Sequence, residues 1–89
     1  MKIIENKNNM VIMQDADENI TLFSYFSHIA TFDRFKNELY ISTLWSYSQT
    51  TLKQVKHFIN NYTSFNYENK KHFEMEIQNN NKIYIIIDD

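Results

Sequence analysis

Eighty-nine residues, a net charge of −2 and no cysteine describe one small domain (1–89) with one core, no disulfide framework, no thiol nucleophile and no cysteine zinc site. Glycine and proline are also absent, which excludes a glycine-rich phosphate loop and leaves Asn and Asp to build the turns. The charge is too small to specify a partner, since a DNA mimic is usually far more acidic and a non-specific nucleic-acid binder basic.

The first residues hold two short apolar patches, Ile3-Ile4 and Met10-Val11-Ile12-Met13, divided by Asn6-Lys7-Asn8-Asn9. They read as strand, polar turn and strand, or as a frayed terminus before a single strand. Acid and amide (Glu5, Asn6) arrive before a signal-peptide apolar run develops, and no stretch approaches the ~20 apolar residues of a membrane span. A soluble cytoplasmic chain is expected. Asp15-Ala16-Asp17-Glu18-Asn19 is the most acidic stretch. Its Asp-x-Asp-x-Asn spacing opens like a calcium loop, but Ile20 stands where the turn needs Gly and Phe26 where a bidentate Glu is required. A solvated turn between strands is the better reading.

Residues 20–32 are β-branched and aromatic and read as a strand, with Tyr25, Ser27, Ile29 and Thr31 on one face and Phe26, His28, Ala30 and Phe32 on the other. Residues 33–38 read as a hairpin connection and 39–44 as the returning strand, with Trp45 closing the sheet against a helix. That helix is the clearest element: Leu52, Val55, Phe58, Ile59 and Tyr62 recur on one face of residues 50–62. Either Ser48 or Thr50 supplies its cap. Burial is expected for Leu52, Val55, Ile59 and one of Phe58 or Tyr62.

Residues 65–81 are ambiguous. Phe73, Met75 and Ile77 alternate with Glu74 and Glu76 as in a strand, yet propensity favours a helix over 68–78. The run 82–87 is a strand, and its continuous apolar character predicts an inner position in the sheet. The expected fold is α+β: a small antiparallel β-sheet with one main amphipathic helix (50–62) on one face, a second short helix (68–78) and a C-terminal strand (82–87).

Chemistry is sparse. His28, His57 and His72 share no metal-pair spacing, so neither a metal nor a cofactor is expected. Ser48 and Thr50 serve a helix start more economically than nucleophilic catalysis, and an enzyme is not expected. Lys53, Lys56, Lys70 and Lys71, with Tyr62 and Tyr67 between the two clusters, form a candidate platform for nucleic acid. The aromatic share of 16% exceeds what a small core readily absorbs, and Tyr and Trp are favoured anchors of protein interfaces.

Ser24-Tyr25, Ser27, Ile29-Ala30, then Trp45, Tyr47-Ser48, Thr50-Thr51, Lys53 and Phe58-Ile59 form a pattern that resembles small uncharacterised proteins of Gram-positive phages and plasmids. That family shares a Ser-Tyr-x-Ser/Thr-x-Ile-Ala strand and an aromatic-x-Tyr-Ser-x-Thr-Thr helix-start box. The likeness spans residues 24–59 and departs at Gln54, where the family usually has His, and at the tail, where Asn replaces a Gly. It tips 68–78 toward a helix; the box of Trp45, Tyr47, Ser48, Thr50 and Thr51 is expected to be mainly structural, since capping explains its hydroxyls. The codon bias behind abundant Asn, Lys, Ile, Tyr and Phe agrees with an AT-rich, low-GC bacterial source. Mobile elements of that kind carry non-catalytic inhibitors of host defence complexes, anti-CRISPR proteins among them. On that reading the partner is a host protein or ribonucleoprotein effector, contacted through Asp15, Asp17, Glu18, Glu68, Glu74 and Glu76. The alternative is a nucleic-acid-binding accessory protein of a phage or plasmid using the four lysines; neither reading excludes a homodimer.

Overall fold

The computed structural model describes residues 2–86. A six-stranded sheet runs in sequence order, β1 (Lys2–Lys7), β2 (Met10–Gln14), β3 (Ile20–Ser24), β4 (Ser27–Asp33), β5 (Glu38–Ser42) and β6 (Ile83–Ile86). The first five strands are antiparallel neighbours, and β6 joins β5 in parallel. A parallel return needs a long crossover. Here it consists of a 3-10 helix (Thr43–Ser46), helix α1 (Gln49–Tyr62) and helix α2 (Lys70–Asn79). The fold is therefore α+β, as the periodicities indicate.

Alternation decides which face the helices cover. Ile12, Leu22, Ala30, Phe32, Leu39, Ile41 and Ile83 are buried from the sheet, and Val55, Phe58 and Ile59 meet them from α1. Phe73 of α2 and Trp45 of the 3-10 helix close the core edge to face, with ring centres 5.2 Å apart at 76°. Of the expected helix residues Val55, Ile59 and Phe58 are buried, whereas Leu52 is only half-buried and packs on the rim of the core. Ser48 is the cap of α1: its Oγ accepts from the Thr51 amide at 3.1 Å. Asn69 caps α2 in the same way through His72.

The sequence reading needs correction at three places. Residues 20–32 are not one strand but two, β3 and β4, folded back through a two-residue tip at Tyr25-Phe26. The strand expected over 39–44 ends at Ser42, because Ser42 Oγ accepts from the Leu44 amide and starts the 3-10 helix. β6 is an edge strand rather than an inner one, and Ile87 lies outside the described residues. Its apolar run reflects contacts with both the core (Ile83) and the helix-free face, where Tyr84 stacks on Tyr40 at 5.2 Å and 19°. Residues 73–77 belong to α2, so the rival strand reading falls, while residues 2–7 form a true strand rather than a frayed terminus.

Without glycine, the turns place other residues at positive φ: Asn8 and Asn9, Glu18, Tyr25 and Phe26, and Asn37. Asn tolerates this region; aromatic side chains do not, because the Cβ crowds the following carbonyl.

Candidate functional site

The antiparallel order brings the β1–β2 turn, the β3–β4 turn and the exit of β5 to one end of the sheet. Tyr25 and Phe26 occupy the β3–β4 tip with φ of 50° and 68°, the left-handed pair that a two-residue hairpin demands. Asn-Gly is the usual solution. Two aromatic rings are instead held out into water, Tyr25 at 56% exposure and Phe26 completely exposed. Such strain persists only where the surrounding structure enforces it, and it collects at functional sites. The neighbouring turn enforces it here: the Tyr25 amide donates to the Asn9 carbonyl at 2.9 Å.

Two hollows flank this tip. One, about 560 Å³, opens on the helix-free face of the sheet among Val11, Met13 and Phe23, with Asn6 and Asn9 at its edge. The other, about 260 Å³, lies between the tip and the start of α1. Ser24, Tyr25, Ser27 and Ile29 line it from one side, and Leu44, Tyr47 and Thr51 from the other. The strand motif and the helix-start box thus converge on one hollow. Trp45, Ser48 and Thr51 of the box are accounted for by core packing and capping, and Thr51 Oγ1 lies 3.0 Å from Ser48 Oγ. Tyr47, at 80% exposure, is not. Thr50 is exposed on the first turn of α1. Neither hollow has a charged side chain in its lining.

The acidic residues fall elsewhere. Asp15, Asp17 and Glu18 form the β2–β3 turn at the opposite end of the sheet, where Asp15 Oδ1 accepts from the amides of Asp17 and Asn19, both at 2.9 Å. Glu18 lies 3.6 Å from Arg34. Glu68 precedes α2, and Glu74 and Glu76 lie on it, Glu76 at 3.7 Å from His72. The six carboxylates therefore fall into two separate groups, one in the β2–β3 turn and one on α2 and the residues leading into it. Lys53 and Lys56 are exposed on α1, as are Lys70 and Lys71 at the start of α2. Tyr67 is buried against Phe73, and the Tyr62 hydroxyl is engaged by Glu5, so these two rings do not form the expected stacking platform.

A second polar centre, unmarked in the sequence, joins β1 to α1. Glu5 Oε1 accepts from the Tyr62 hydroxyl at 2.5 Å and lies 2.7 Å from His57 Nε2. Asn61 Nδ2 donates to the His57 carbonyl at 2.8 Å and lies 3.2 Å from His57 Nδ1, while His57 Nε2 donates to the Glu5 carboxylate. The Tyr62 hydrogen bond holds the Glu5 carboxyl below its ordinary range, with burial pulling the other way and His57 adding to the lowering. The same bond, then burial, pushes the Tyr62 hydroxyl up to about 12. The arrangement pins an edge strand to the helix. His28 instead sits on the helix-free face, 2.8 Å from the Thr31 hydroxyl. Among the described residues no cluster of three or more His, Asp or Glu side chains is arranged to hold a metal ion. No described helix is long and apolar enough to cross a membrane.

Sequence reasoning missed Tyr25-Phe26 as a tip and Glu5 as an anchor. For the tip, the one available signal was the pair of serines, Ser24 and Ser27, bracketing it. For Glu5 there was none, because its partners lie 52 and 57 residues away. A family model described as a family of unknown function (DUF8033) matches residues 1–75. No curated protein and no solved structure matches the chain.

Proposed function

We infer, for a chain that belongs to the family of unknown function DUF8033, that its work is binding a protein rather than catalysis. The observation that carries this reading is the aromatic end, where Tyr25, Phe26 and Tyr47 stand in solvent around two hollows with no charged side chain in their lining. Large amphipathic rings beside preformed hollows are the usual anchors of a protein interface. The strain accepted at Tyr25-Phe26 supports the same conclusion, since an Asn-Gly tip would build the hairpin at lower cost.

The setting proposed for this binding is a phage or other mobile element of a low-GC bacterium, acting in the host cytoplasm. There the protein is a stoichiometric inhibitor of a defence effector, an anti-CRISPR protein that blocks nucleic-acid engagement by occlusion. The likeness of residues 24–59 to small phage and plasmid proteins supports that setting. An effector channel is lined with Lys and Arg. With the aromatic end docked on the effector, the carboxylates of the β2–β3 turn and of α2 remain available to such a channel.

The second reading, a nucleic-acid-binding accessory protein, is favoured by the exposure of Lys53, Lys56, Lys70 and Lys71 on the helices. One experiment separates the two: titration of the protein against labelled single- and double-stranded DNA at two salt concentrations, and against purified effector complexes. The inhibitor reading expects effector binding without affinity for free DNA. Steeply salt-dependent DNA binding with no effector binding would replace it with the second reading.

A further inference from the structure

At the β5–β6 edge of the helix-free face, Tyr40 and Tyr84 stand side by side in register. Their rings stack at 5.2 Å and 19°. Both hydroxyls donate to one carboxylate, Tyr40 to Glu38 Oε1 at 2.8 Å and Tyr84 to Glu38 Oε2 at 3.2 Å. Each oxygen keeps a further lone pair for a second donor. Tyr40 covers one face of the Tyr84 ring. No described strand lies beyond β6 to cover the other, and Tyr84 is 41% exposed. Glu38 is itself half-exposed and has no ion pair among the described residues. Lys82, beside it in the β5–β6 register, turns its Nζ to the Lys36 carbonyl, 3.5 Å away. Asp33, opposite Glu38 on β4, adds negative potential, while its Oδ1 is occupied by the amides of Phe35 and Lys36 at 3.0 Å each.

Charge decides what can settle on Tyr84. An anion would meet both the carboxylate and the negative face of the ring. A neutral apolar group would cover the ring but take water from an ionised carboxylate without replacing it. A cation is attracted by both, and a planar, weakly hydrated guanidinium suits a ring face better than a compact ammonium. We propose that the outer face of Tyr84 and the Glu38 carboxylate bind the guanidinium of an arginine side chain of a partner protein. The guanidinium lies on the stack as a third layer, its N–H groups turned to Glu38. The site is an open surface rather than a cleft, with no walls to hold the rest of a free small molecule, so the arginine is one that a protein carries. The inference rests on the reading of the chain as a protein binder but uses none of the residues at the aromatic tip. The probes below test this site alone, and effector titration tests that reading separately.

The test follows the amide NMR spectrum of the intact protein at constant ionic strength with four probes. These are arginine capped as its N-acetyl amide, citrulline capped in the same way as the uncharged isostere, capped lysine, and free arginine. We expect capped arginine to shift the Tyr84 and Ile85 amides and to bind about tenfold more tightly than capped citrulline, the worth of a charge-assisted hydrogen bond at an exposed site. Glu38→Gln is expected to remove most of that ratio, and Tyr84→Leu to weaken capped arginine about threefold, the worth of an exposed cation–π contact. The ratio in the wild-type protein needs no variant to fold. Equal affinities of capped arginine and capped citrulline for the wild type, or no shifts at these amides, would overturn the proposal. An unchanged ratio in a folded Glu38→Gln variant would do the same by leaving the carboxylate out of the contact. Tighter binding of capped lysine would replace the guanidinium with an ammonium group. Tighter binding of free than of capped arginine would replace the partner's side chain with a free amino acid.

Discussion

The Tyr25 amide donates to the Asn9 carbonyl at 2.9 Å, so the tips of two neighbouring hairpins are tied together at one end of the sheet. Both tips hold two successive residues at positive φ, one with Asn8-Asn9 and the other with Tyr25-Phe26. The same backbone is thus built once from residues that tolerate it and once from residues that resist it. Turn geometry explains the choice of residues in the first pair but not in the second.

Replacing Phe26 by Asn is expected to stabilise the fold by about 1 kcal/mol, the relief of one left-handed bulky residue. Phe26 is fully exposed, so the substitution removes no core contact. Urea unfolding measures the change. A loss of stability would mean that the ring supports the fold and that the tip is structural.

The capping hydroxyl of α1 is open to the same measurement. Ser48→Ala leaves the Thr51 amide without its acceptor and is expected to cost about 0.5–2 kcal/mol. Thr50→Ala, at an exposed position, is expected to change little. Trp45→Ala opens a cavity against Phe73 and is expected to cost about 3–5 kcal/mol. Equal effects of Ser48→Ala and Thr50→Ala would show that the cap has been misplaced.

The Glu5–Tyr62 hydrogen bond makes stability depend on pH at both extremes. Glu5 is held below its ordinary 4.5, so its contribution is complete above that value and is lost as pH falls through the lower folded value. Tyr62 is raised from 10 to about 12. Its contribution is complete below 10 and disappears as pH climbs toward 12, where the phenol ionises in the folded state as well. These are two views of one hydrogen bond and are not to be added. Tyr40 and Tyr84 share Glu38 and are raised by it too. The alkaline limb is therefore read as the difference between wild type and Tyr62→Phe, and the acid limb as the difference between wild type and Glu5→Gln. Parallel stability curves for wild type and either variant would contradict the assignment.

Periodic elements were legible in the sequence and the tip was not. The apolar stripe from Leu52 to Ile59 and the α+β class follow from spacing that local physics imposes on a helix and a half-buried sheet, while the choice of Ser48 over Thr50 as the cap needed the structure. The β3–β4 turn was hidden because turns are recognised by Gly, Asn and Asp, and Tyr25-Phe26 carries the opposite signal, high strand propensity. The position of β6 was misjudged for a related reason. An unbroken apolar run suggests burial on both faces, whereas Ile83 faces the core and Tyr84 stacks on Tyr40 across the open face. The Glu5 anchor depends on tertiary contact alone. Of the box, a structural role for Trp45 and for a capping hydroxyl at Ser48 or Thr50 was visible, while the outward Tyr47 became meaningful only once Tyr25 was seen across the hollow from it.

Binding of a partner protein through the aromatic end is the proposal on which the rest of the functional reading depends. Its most direct test is an affinity measurement of wild type and the triple variant Tyr25→Ser, Phe26→Asn, Tyr47→Ser against the same purified effector complexes. All three side chains are more than half exposed, so the variant is expected to unfold at a urea midpoint no lower than wild type. The account expects stoichiometric binding by wild type and a loss of at least about 100-fold in the variant, as for removal of two or more anchor residues. A folded triple variant that binds an effector as tightly as wild type would contradict it.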